Sequence, residues 1–120
     1  MFMIFLVLHD PHLLHDVLEA WEQTGISGIT ILLSTGYKRL QVQDVLREDM
    51  PLIPSLEDLM KREESFNRTL FTVVNDDDVV DQIVKATQKV VGDFSQPNTG
   101  ILTVLPVSRA YGLDKNFAEN

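Results

Sequence analysis

The chain of 120 residues contains no cysteine. Disulfides, a thiolate metal site and a cysteine nucleophile are thereby excluded, which suits a reducing compartment. Positive charge is scarce as well: 10 lysines and arginines stand against 18 acids, a formal charge of -8. Phosphate backbones require a basic footprint, so nucleic-acid binding is set aside. Long apolar runs are missing too. The opening MFMIFLVL has no basic residues before it, and HDPH follows where a secretion signal would carry small residues. It is too short to span a membrane. A soluble cytoplasmic domain is expected.

What is present has globular proportions, 44% hydrophobic and 23% charged, enough for one domain with an apolar core. Residues 1–8 form an unbroken apolar run, the pattern of a strand buried on both faces. Asp10 and Pro11 then offer a helix N-cap and a first-turn proline. Leu13, Leu14, Val17, Leu18 and Trp21 recur at helical spacing until Gly25, and residues 28–34 read as a second strand. Residues 66–74 alternate as a third strand, and Asn75 to Asp78 supply a cap for a helix carrying Val79, Val80, Ile83, Val84 and Val90, which ends near Gly92. A turn cluster, SQPNTG, delivers a fourth strand over 101–107.

Residues 37–65 stand apart. They hold half of the lysines and arginines, Pro51 and Pro54, and mixed periodicity. Within them Ser55 offers an N-cap for a short helix with Leu56, Leu59 and Met60 on one face. A connection this long without structure is uncommon and is usually functional or disordered.

Strand–helix–strand, long loop, strand–helix–strand predicts an α+β fold, the ferredoxin-like βαββαβ sandwich with two helices on one sheet face. Strands one and three are expected side by side at the centre, and parallel. On that geometry Tyr37-Lys38-Arg39 and Asn98-Thr99-Gly100 share one end of the domain, with His9, His12 and His15 at the other. The second sheet face has no helices of its own to cover it, so self-association is expected.

Three features carry chemistry. Gly36 with Lys38 and Arg39 closes the second strand as if to cradle an anion, with Asn98-Thr99-Gly100 nearby; the alternative is two tight turns and a solvated cation pair. HDPHLLHD holds all three histidines, and His12 and His15 fall on one helical face, as a chelating pair must; the alternative is a polar helix start. Glu63-Glu64 and Asp76-Asp77-Asp78 read as a solvated helix end and a cap, with no nucleophile beside either. No catalytic residue is identified, and a non-enzymatic protein is expected.

With these elements in place, the stretches LLHDVLEAWEQTGISGITILLSTGYKR and FTVVNDDDVVDQIVKATQKVVGD through ILTVLPVSRA resemble the PII nitrogen-regulatory signalling family. The resemblance implies a homotrimer with sheets lining its interior, and a large loop, here 37–65, that contacts a regulated partner protein. It further implies an effector, such as an adenine nucleotide, in the clefts between subunits. The positions that match are Gly36, Lys38 and Arg39; Gly92 with Asn98, Thr99 and Gly100; and Arg109. Two departures bear on the ligand. The family's T-G-x-x-G-D-G-K turn becomes VVGDFSQPNTG, without its lysine, and the paired arginines after the last strand are reduced to Arg109, with Lys115 further on. No tyrosine lies between 38 and 65, so a uridylylated loop is not implied. A less charged adenylate, another anion or no nucleotide remains open. The divalent-cation-tolerance proteins are similar trimers of the same fold, and under that alternative His9, His12 and His15 would bind metal.

Overall fold

The computed structural model describes residues 1–26, 28–37 and 66–113. Its elements are β1 (Phe2–Leu8), a single 3-10 turn (Pro11–Leu13), α1 (Leu14–Glu22), β2 (Thr30–Ser34), β3 (Asn67–Val74), α2 (Asp77–Val91) and β4 (Gly100–Pro106). The expected short helix around Leu56 lies outside the described residues.

The strands form one sheet in the order β2-β3-β1-β4. Every neighbouring pair is antiparallel, β1 with β3 included. The parallel pairing expected at the centre is therefore corrected. A helical crossover returns the chain so that β2 runs in the direction of β1. The connection to β3 reverses that direction once, so β3 must oppose β1. Strand β4, reached through α2, then runs with β3 and opposes β1 on its other side.

Direct cross-strand partners share a face, and successive residues alternate between faces. On β1, Ile4, Leu6 and Leu8 are wholly buried, and they join Leu70, Val74, Val17, Trp21, Val80 and Ile83 in a single core. That face is the one the helices cover. Burial of each such aliphatic side chain contributes about 1.5–3 kcal/mol. The opposite face carries Phe5 stacked on Phe71, with ring centroids 6.2 Å apart and planes 12° from parallel. It continues outward to the exposed Ile101 and Leu105 of β4 and Leu32 of β2.

The helix ends follow the sequence cues. Asp10 accepts the His12 N–H at 2.9 Å, with Pro11 in the first turn. Asp76 caps α2 through the Val79 N–H at 3.0 Å, and Asp77 and Asp78 lie in the first turn, where the helix dipole favours negative charge. Replacing Asp76 with alanine is expected to cost about 1 kcal/mol. The urea midpoint would register that loss. An unchanged midpoint would show that the neighbouring acids substitute for the cap.

One end of the sheet as the candidate functional site

The register brings four chain segments to one end of the sheet. Leu8 at the end of β1 pairs with Arg68 on one side and Gly100 on the other, while Ser34 at the end of β2 pairs with Asn67. The ends of β1 and β2 thus meet the starts of β3 and β4. Gly36 follows β2 here, the 92–100 turn enters β4 here, and α2 ends here at Gly92. Gly36, Gly92, Asn98, Thr99 and Gly100 all lie at this end of the sheet. Lys38 and Arg39, and the partner-contact loop over 38–65, lie outside the described residues.

The histidines are not where they were expected. His9 directly follows Leu8, so it belongs to this same end, between the starts of β3 and β4. The parallel pairing of β1 with β3 would have put it at the other end; the antiparallel pairing brings it here. His9 is half-buried, while His12 and His15 are exposed. Among the described residues no group of three or more histidine, aspartate or glutamate side chains is placed to hold a metal ion. The three histidines therefore do not assemble into a chelating cluster.

Arg109 falls at the opposite end. The Val107 N–H donates to the Met1 carbonyl at 3.1 Å, which ties the exit of β4 to the start of β1. The length of β4, about 20 Å, separates the two ends.

Hydrogen bonding at this end is largely internal. On the helix-free face the hydroxyls of Ser34 and Thr69 bond each other at 2.7 Å. In the 92–100 turn, the Gly92 N–H donates to Gln88 O at 2.9 Å and the Gln96 N–H to Asp93 O at 3.0 Å. The Ser95 N–H donates to Asp93 Oδ1 at 2.9 Å, and the Thr99 hydroxyl to Gln96 O at 2.9 Å. Pro97 has no N–H to offer. Thr35 Oγ1, next to Gly36, is a buried hydroxyl with no hydrogen-bond partner.

The Asp93 carboxyl is held below its ordinary value, first by the Ser95 backbone N–H and then by the Ser95 side chain. A lowered folded-state pKa favours the fold at pH above the unfolded value of about 3.9. The contribution disappears as pH falls through the folded value. Because Asp93 is fully exposed, the effect is small and salt-sensitive. In an NMR titration, Ser95→Ala is expected to raise the Asp93 value only partway, since the backbone donor remains. Full reversion to the unfolded value would show that the hydroxyl was the main cause.

The element order and pairing define an α+β sandwich of the ferredoxin-like kind, with the end of β2 and the turn before β4 at the same end of the sheet. No family model and no curated protein matches the sequence. Among solved structures the chain is similar to Arabidopsis thaliana PII bound to citrate, at 18% identity and a TM-score of 0.55. The match covers 89% of this chain and 77% of that one. At that identity the likeness establishes a PII-like fold. No helix among the described residues is long and apolar enough to cross a membrane.

Proposed function

We propose that this is a PII-like, non-enzymatic regulatory protein of the cytoplasm, assembled as a homotrimer. It takes a small effector in the clefts between subunits and contacts a partner protein through residues 37–65. The observation that carries this reading is the convergence, within a PII-like fold, of Gly36, the 92–100 turn and both ends of the long connection at one end of the sheet. Effector binding beside the roots of that connection would bias which loop arrangement a partner meets.

Two further features support it. The helix-free face exposes Leu32, Ile101 and Leu105 around the Phe5–Phe71 stack, with Thr69 and Thr103 among them, apolar side chains that a partner surface would shield from water. Packing these faces together in a closed ring would cover it. In addition, Arg109 and Gly100 lie at opposite ends of one chain, so a neighbouring copy is what would bring such residues into one cleft.

Light scattering is expected to give three times the 13.6 kDa chain mass. Leu105→Asp, which places a charge on the bare face, should shift the particle toward a single chain; an unchanged trimer would place the interface elsewhere. Calorimetry with AMP, ADP and ATP tests the effector. No heat from any of them at millimolar concentration would dismiss the nucleotide form of the proposal.

A further inference from the structure

The two outer strands expose apolar side chains on both of their faces. Ile31 pairs with Leu70 and Val104 with Ile4, both core residues, and Leu33 follows Ile31 on the same face. These three side chains therefore stand on the helix side of the sheet, yet they are 42, 40 and 53% exposed for Ile31, Val104 and Leu33. Packing the helix-free faces together leaves them in water. Neither edge carries a charge: β2 reads TILLS and β4 GILTVLP, with Pro106 only at the last position. The lysines that keep a free edge from pairing are missing from both. We propose that the β2 edge of one copy seats the β4 edge of the next, head to tail, with α1 of the first beside α2 of the second. The inference rests on the self-assembly of the preceding reading and names the flanks that meet.

Direction and charge choose the occupant. Strand β2 opposes β3, which opposes β1, which opposes β4, so the two edges run in opposite directions within the chain. Rotation about an axis lying along the strands preserves those directions, and β2 then meets the neighbour's β4 antiparallel. Helix α2 packs over β1 and β4, and α1 lies beside it, toward β2. On the β2 flank α1 exposes Asp16, Glu19 and Glu22, with no lysine or arginine. On the β4 flank lie Lys85 and Lys89 of α2 and Arg109 beyond β4, all exposed; among the described residues Arg68 alone completes the lysines and arginines. Lys85 and Lys89 lie toward the sheet end where α1 begins, so head to tail they face Asp16 and Glu19, while Glu22 points to the end that holds Arg109. The acids of α2, Asp77, Asp78 and Asp81, sit in its first half, away from that lysine pair. A β2–β2 contact about a dyad would bring two acidic α1 helices together and leave both β4 edges open. Exposed charge pairs contribute little affinity, so this matching sets partner and orientation, and the apolar edge residues supply the attraction.

The chain has no cysteine, so introduced pairs report the seam directly. Ile31→Cys or Leu33→Cys on β2 is combined with Leu102→Cys or Val104→Cys on β4, and the four single variants serve as controls. Within one chain these strands are three spacings apart, about 14 Å, beyond the roughly 7 Å that a disulfide spans between Cα atoms. After treatment with oxidised glutathione, a denaturing gel is expected to show two- and three-chain bands from at least one double variant. The single variants should give single chains. A two-chain band from a single variant reveals dyad pairing and overturns the head-to-tail seam. Single chains from every double variant, while light scattering still gives an oligomer, overturn the seam and leave the trimer reading in place. Single chains by both methods remove the two together. A ladder running past three chains keeps the seam and overturns the closed trimer. Circular dichroism checks that each variant folds. Should the cysteines unfold the chain, charge reversals at exposed helix positions decide instead. Asp16→Lys with Glu19→Lys, or Lys85→Glu with Lys89→Glu, should each raise the dissociation constant about fivefold or more at low salt, and all four together should restore it to within about twofold. No change on either reversal, or no recovery in the combination, overturns the seam.

Discussion

Replacing Gly100 with alanine is expected to cost about 3–5 kcal/mol, combining strain at a glycine-only backbone angle with a core-type clash. Gly100 has φ +128°, a conformation that L side chains rarely adopt. A Cβ built there runs into the Val7 carbonyl oxygen, with the Val7 carbonyl carbon at 3.3 Å and Leu8 Cα at 3.5 Å. All three are backbone atoms of the central strand, so no rotamer change relieves the contact. Relief requires β4 to peel away from β1 at the Leu8–Gly100 pair. Gly25 is the control: its φ of +97° is also left-handed, but nothing lies within 4 Å of a Cβ there. Gly25→Ala should therefore lose only the conformational term, about 1–2 kcal/mol. Urea unfolding would separate the two. Equal losses would mean that the β1–β4 contact yields easily. The comparison also reassigns Gly100. The resemblance marks it as a ligand residue, yet close packing of two strands already demands glycine there.

The elements were legible because their cues are local. Asp10-Pro11 and Asp76 cap where the spacing places them, Gly92 ends α2 with φ +89°, and Ile4, Leu6 and Leu8 fill the core. Strand direction was not legible in any single segment. It follows from the number of reversals along the whole chain, which sets β3 antiparallel to β1 and brings His9 to the end where β3 starts. That Gly36 and Asn98-Thr99-Gly100 share one end of the sheet was legible. Proximity is a matter of topology, which the element order carries. Donor availability depends on which N–H meets which oxygen, and Asp93, unremarkable as one acid among 18, decides that for Ser95. The approach of Gly100 to Val7 is likewise a tertiary fact, invisible in the turn-like composition of SQPNTG.

The largest loss in the core is expected from Trp21, the chain's single tryptophan. It is wholly buried on the inner side of α1, and its indole Nε1–H donates to Thr87 Oγ1 on α2 at 2.8 Å. The Thr87 hydroxyl in turn donates to the Ile83 carbonyl at 2.7 Å. One buried hydroxyl thus accepts from one helix and donates within the other, tying α1 to α2 across the core. Trp21→Ala removes both the ring and the donor and should cost about 3–5 kcal/mol, the range for large-to-small core changes. Thr87→Val keeps the volume but takes away the acceptor, leaving the indole N–H buried and unpaired, a penalty of about 1–3 kcal/mol. Trp21→Phe removes the donor instead and leaves Thr87 bonded to Ile83. The double variant Trp21→Phe with Thr87→Val has no orphaned donor, so its loss should fall short of the sum of the two single losses by about 1 kcal/mol or more. Circular dichroism in urea, which needs no tryptophan signal, can follow all four proteins. Strict additivity would show that the two side chains pack independently and that the hydrogen bond contributes nothing to joining the helices.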